Sequence, residues 1–137
     1  MTGRVDEWAA PVVGSALPPL VKVVTQEMID RYATASGDDN PLHTNPAFAA
    51  GTQFGGTIAH GMLVLAYLSE MMTVAFGLRW LSSGGLKARF RAAARPGDTV
   101  TGSGRVLRKE NSRTYCAVEC RNQNGEVLIS AEAEVAV

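Results

Sequence analysis

Asp38 and His43 stand in a segment, Gly37-Asp38-Asp39-Asn40-Pro41-Leu42-His43, whose glycine and proline rule out a continuing helix. A carboxylate and an imidazole held on one rigid loop can polarise a water between them and pass a proton to and from a bound molecule. Pro41 supplies the rigidity, because its ring keeps Asn40 out of the α region. His60, the second of two histidines, lies in the same otherwise apolar window. An Asp and a His at this spacing are also ordinary turn chemistry: Asp38 can cap a turn, and His43 can be a satisfied, partly buried ring. Asp39 either raises the pKa of its neighbour or points to solvent. His60 reads as a structural residue bonding a loop carbonyl. Asn40 reads as a residue that fixes the loop through its side-chain amide.

The flanking pattern supplies the elements that must hold this loop. Leu20 to Val24 favours a short strand. Thr25 is placed as an N-cap, with Gln26 and Glu27 in the first turn and Gly37 ending the helix. Asn45-Pro46 opens a second, short helix through Ala50. From Gly61 a helix runs to about Phe76 before Gly77, apolar nearly all round, so it is expected to be surrounded by protein. Ser69 falls in its middle, where serine often bonds the carbonyl one turn back. Met62, Met71 and Met72 line either the core or a ligand tunnel.

After Gly84-Gly85 the period becomes two. Leu86, Ala88, Phe90 and Ala92 alternate with Lys87, Arg89 and Arg91, a basic row that is either a solvated strand face or a phosphate contact. Pro96-Gly97-Asp98 leads into a strand over about 99–108, and another over about 114–122 carries Cys116, Val118 and Cys120 on one face. Asn124-Gly125 predicts a type I′ hairpin. The last strand sets Val127, Ile129, Ala131, Ala133, Val135 and Val137 against Ser130, Glu132 and Glu134. Antiparallel strands with one apolar face each, preceded by one buried helix, predict an α+β domain in which a curved antiparallel sheet wraps a long central helix. Residues 1–18 read as an extended lead-in and 19–137 as the domain. Dimerisation would cover the sheet's edges and open flank.

Composition narrows the functions. The 137 residues, 46% hydrophobic and 19% charged, suit one globular domain with its own core. Thirteen basic and thirteen acidic side chains cancel, so no long-range field draws nucleic acid or anionic lipid. Cys116 and Cys120 on one strand would sit roughly 13 Å apart at about 3.3 Å per residue, beyond the roughly 7 Å reach of a disulfide. Buried free thiols, with no apolar signal-peptide core at the start and no span long and apolar enough for a bilayer, predict a cytoplasmic protein.

The stretch Ser36-Gly37-Asp38-Asp39-Asn40-Pro41-Leu42-His43-Thr44-Asn45-Pro46-Ala47-Phe48-Ala49 resembles the hydratase motif of the MaoC-like family, the (R)-specific enoyl-CoA hydratases. Ile58-Ala59-His60-Gly61-Met62-Leu63 resembles that family's entry into its central helix, and the likeness extends over roughly Leu20 to Val137, including Arg95-Pro96-Gly97-Asp98. The resemblance implies a hot-dog fold, usually dimeric, acting in fatty acid metabolism on an enoyl-CoA or acyl-carrier thioester. It implies Asp38 and His43 as the catalytic acid/base pair and Gly61 as the N–H donor to the thioester carbonyl. Ser69 matches a serine near the catalytic aspartate. The implied reaction is reversible addition of water across the C2–C3 double bond, a lyase reaction. It needs no metal or other cofactor beyond the coenzyme A of the substrate. A hot-dog acyl-CoA thioesterase and a non-catalytic acyl-thioester-binding subunit are the alternatives; the first generally places its carboxylate elsewhere, and the second would be expected to have lost Asp38 or His43.

Overall fold

The computed structural model describes residues 11–137. Strand β1 (Leu20–Val23) is followed by α1 (Gln26–Ser36), α2 (Pro41–Thr44), α3 (Pro46–Ala50), α4 (Gly61–Phe76) and α5 (Leu78–Ser83). Strands β2 (Gly85–Phe90), β3 (Thr99–Glu110), β4 (Arg113–Arg121) and β5 (Val127–Ala136) complete the chain. All strand pairings are antiparallel, in the order β1-β3-β4-β5-β2. This is the expected α+β hot-dog arrangement, with the sheet curved around α4.

The alternation read from the sequence decides which sheet face is dry. Val100 and Val106 of β3, Cys116, Val118 and Cys120 of β4, and Ile129, Ala133 and Val135 of β5 are buried against Val64, Leu68, Met71, Met72 and Ala75 of α4. Burying a side chain of Leu or Met size contributes about 1.5–3 kcal/mol, so this seam carries much of the fold. Met71 and Met72 therefore belong to the core, whereas Met62 is exposed.

Two expectations need correction, and two segments add to the reading. The central helix is not enclosed all round: Met62 and Val74 are 56% and 50% exposed, because one sheet covers only one side of it. The first ten residues of the expected lead-in lie outside the described residues. Its later part joins the domain, since Leu17 is buried and donates its N–H to the Gly104 carbonyl at 2.9 Å. Leu78-Arg79-Trp80-Leu81-Ser82-Ser83 forms α5 without a side-chain cap, anchored by buried Trp80.

The last correction concerns the hairpins. At Asn124-Gly125 only the glycine has positive φ, 77°. Gly125 N–H donates to the Asn122 carbonyl and Asn122 N–H to the Glu126 carbonyl, both at 3.0 Å, giving a three-residue loop with a left-handed glycine. The Asn122 side chain accepts from the N–H groups of Asn124 and Glu126 and holds that shape. The two-residue turn with both φ values positive lies instead at Asn111 and Ser112, at 52° and 61°. No described helix is long and apolar enough to cross a membrane.

Candidate active site

Helix α1 stops where the carboxylate must turn inward. Thr25 caps its start by accepting from Met28 N–H, and Gly37, in the left-handed region at φ 79°, caps its end by donating to the Ala33 carbonyl. Local bonds then lock the loop. Ser36 Oγ accepts from Asp38 N–H at 3.1 Å, and Asn40 Oδ1 accepts from Leu42 N–H at 3.0 Å. Asn40 thus fixes the backbone as an N-cap, with φ −51° and ψ 129°, and Pro41 at the first helical position opens α2 instead of merely blocking a helix.

His43 is reached from three sides. Its Nδ1 lies 2.8 Å from the Ile58 carbonyl, and since a carbonyl only accepts, Nδ1 carries the proton in the neutral ring. The Nε2 lone pair is left facing Asp38 Oδ2, at 4.0 Å, with the imidazole 12% and the carboxylate 56% exposed. That gap is too long for a direct hydrogen bond. The His60 ring stacks on His43 at 3.8 Å between centroids and 22° between planes, and Tyr32 tilts against its edge at 4.8 Å. His60 Nε2 donates to the Asp38 main-chain carbonyl at 2.8 Å, while its buried Nδ1 has no protein partner among the described residues. Asp39 is exposed and faces away, in a surface hollow with Asp30 and Thr44.

One donor atom each from Asp38, His43 and His60 lies within 4.8 Å of the others. Each ring donates one N–H to a carbonyl, which leaves His43 Nε2 and His60 Nδ1 as the nitrogens with a free lone pair.

Gly61 begins α4 beside this cluster, and among the described residues no protein group accepts its N–H. First-turn N–H groups of a helix are free to bind an anion. Next to it opens an apolar cleft of about 320 Å³ lined by Phe54, Ile58, Ala59, Phe90 and Ala92, among others. A Cβ on Gly61 would lie 2.9 Å from the Phe90 ring, so glycine is the residue that lets ring and helix end meet.

Ser69 Oγ accepts from the Trp80 indole N–H at 2.9 Å, which ties α4 to α5. No hydrogen bond joins Ser69 to Asp38 among the described residues. Lys87, Arg89 and Arg91 are exposed, and Arg91 donates to Ser130 Oγ. Sequence reasoning did not single out the Ile58 carbonyl, Gln26, Phe90 or Trp80 as site or scaffold partners. Ile58 acts here through its carbonyl, which no side-chain motif announces.

The profile of the MaoC like domain matches residues 14–127. The chain belongs to the MaoC-like family. Among curated MaoC-like relatives, the (R)-specific enoyl-CoA hydratase of Rhodospirillum rubrum is 35% identical over 128 residues, covering 86% of this chain and 83% of that protein. The 3-hydroxybutyryl-CoA dehydratase of Methylorubrum extorquens is 33% identical over 124 residues, with 86% and 76% covered. An unliganded R-hydratase from Pseudomonas aeruginosa superposes with a TM-score of 0.82 at 30% identity, covering 92% of this MaoC-like chain and 81% of its own.

Proposed function

We propose that this chain is a hydratase/dehydratase that adds water reversibly across the C2–C3 double bond of a trans-2-enoyl thioester. The observation that carries the reading is the opposition of Asp38 Oδ2 and His43 Nε2 across 4.0 Å, with the tautomer set by Ile58. A water oxygen about 2.8 Å from each can bridge that gap. The named activities of the relatives support the same reaction class.

In the proposed mechanism His43 Nε2 and Asp38 hold one water. A proton leaves it towards the pair as its oxygen attacks C3. The Gly61 N–H, at the positive end of α4, stabilises the enolate oxygen that forms on the thioester carbonyl. Asp38 returns a proton to C2, giving the 3-hydroxyacyl thioester on the same face; dehydration runs through the same groups in reverse. The apolar cleft receives the acyl chain, and coenzyme A or an acyl carrier brings it. No metal or redox cofactor takes part. The open stripe of α4 at Met62 and Val74 is covered by a second copy of the chain, and light scattering should read twice the 14.5 kDa chain mass.

The test follows loss of the conjugated enoyl absorbance with short, medium and branched trans-2-enoyl-CoAs. Asp38→Asn and His43→Gln, each shown to fold by circular dichroism, should lose about 10²- to 10⁴-fold in kcat/KM. Release of free coenzyme A in place of hydration would put a thioesterase in its stead.

A further inference from the structure

Gln26 stands in the first turn of α1, and its amide reaches three groups at once. Nε2 donates to the His43 main-chain carbonyl at 2.8 Å and to Asp30 Oδ1 at 2.9 Å. Oε1 accepts from Thr57 Oγ1 at 2.7 Å. The orientation of the amide follows from its partners: a carbonyl and a carboxylate can only accept, so the nitrogen faces them, and the hydroxyl can donate to the oxygen.

Thr57 and His43 belong to the two segments whose separation sets the His43 ring. Thr57 precedes Ile58, whose carbonyl takes the Nδ1 proton and whose N–H donates to the Leu42 carbonyl at 3.3 Å. One side chain from a third element therefore bridges both ends of the bond that chooses the His43 tautomer. Thr57 is buried and the bonds to Thr57 and to the His43 carbonyl are part-buried, which strengthens them against competition from water.

We infer that Gln26 is a positioning residue for His43: it clamps the Leu42–His43 segment to Thr57–Ile58, so that Nδ1 keeps its proton on the Ile58 carbonyl and Nε2 faces the reacting water. Gln26 touches no substrate in this scheme. The kinetic part rests on the reading of His43 as the acid/base; the tautomer part stands on geometry alone.

Two measurements separate these parts. Long-range proton–nitrogen NMR at mildly alkaline pH reports which ring nitrogen of each neutral histidine is protonated, and with only two histidines His60→Phe assigns the signals. Wild type should show His43 protonated at Nδ1. Gln26→Ala and Gln26→Glu should both shift His43 towards a mixture of tautomers. The glutamate is the sharper variant, because its carboxylate still accepts from Thr57 but gives no proton to the His43 carbonyl. Thr57→Val cuts the other arm and carries the test if Gln26→Ala does not fold.

In enoyl-CoA hydration these variants should lower kcat by about 10- to 100-fold, the range for a displaced catalytic group, with KM changed less than threefold. A wild-type tautomer in Gln26→Glu overturns the inference. So does a shifted tautomer in an enzyme whose kcat is unchanged. A wild type that hydrates no enoyl thioester removes the proposed function, and the tautomer signals then decide the clamp by themselves.

Discussion

His60 donates from Nε2 to the main-chain carbonyl of Asp38 at 2.8 Å, which ties the first residue before α4 to the loop that carries the carboxylate. The bond joins two segments far apart in the chain. It also explains why a histidine 2% exposed sits where an apolar residue would pack as well.

His60→Phe keeps the stacked ring and removes the donor. The bond is part-buried, so an acceptor left without its partner costs at most about 1–3 kcal/mol. The melting temperature should fall by several degrees, and kcat/KM should fall with it as the Asp38 loop loosens. Calorimetry and the enoyl-CoA assay read the two effects, and an unchanged melting temperature would show that the bond contributes nothing.

Gly61→Ala should separate stability from activity. The new Cβ drives the Phe90 ring from its place, 2.9 Å away, beside the free N–H. Alanine restricts the unfolded chain more than glycine does, and Phe90 is 55% exposed, so the ring can move cheaply. Melting should be unchanged or higher, while kcat/KM drops by about tenfold or more. Equal activity would remove Gly61 from the carbonyl seat.

Ser69→Ala leaves the Trp80 indole N–H buried without its acceptor. The expected cost is again about 1–3 kcal/mol, seen as a lower melting temperature, with kcat/KM changed less than tenfold. A loss of activity at full stability would instead give Ser69 a part in the reaction.

Burial pushes the Cys116 thiol up to about 11, and burial followed by the nearby Glu119 pushes Cys120 up to about 12, from an ordinary 9.0. Burial, with Cys120 and Glu70 beside it, also raises Tyr67. The unfolded chain releases the thiol protons first, so their contribution is fully present below pH 9 and is lost as pH rises towards 11 and 12. Wild type should lose more melting temperature between pH 8 and 11 than Cys116→Ala/Cys120→Ala. Both thiols should also resist a chromogenic disulfide reagent at pH 8 until the protein unfolds.

Regular elements were legible where local chemistry is strong. The limits of α4 at Gly61 and Phe76 follow from flanking glycine and unbroken apolar spacing, and the start of α1 follows from Thr25. The same reading missed α5, six residues between glycines with no side-chain cap, because its anchor is the contact of Trp80 with Ser69. It misplaced the two-residue turn because Asn124-Gly125 carries the expected composition, while Asn111-Ser112 is forced by the strands it joins. Asp38 and His43 stood out by type and motif. Gln26 did not, since its bond to Thr57 spans 31 positions and exists only in three dimensions.

The order of the chain has a further consequence. Asp38, His43, His60 and Gly61 all precede the last four strands of a sheet whose centre is the β3-β4-β5 meander. During synthesis the ribosome releases every proposed reagent before that meander exists. A fragment ending at α5 would hold all four residues, yet it would lack the inner sheet face that buries Leu68, Met71 and Met72. The chemistry is thus written in the first half of the message and becomes available only when the second half has been translated.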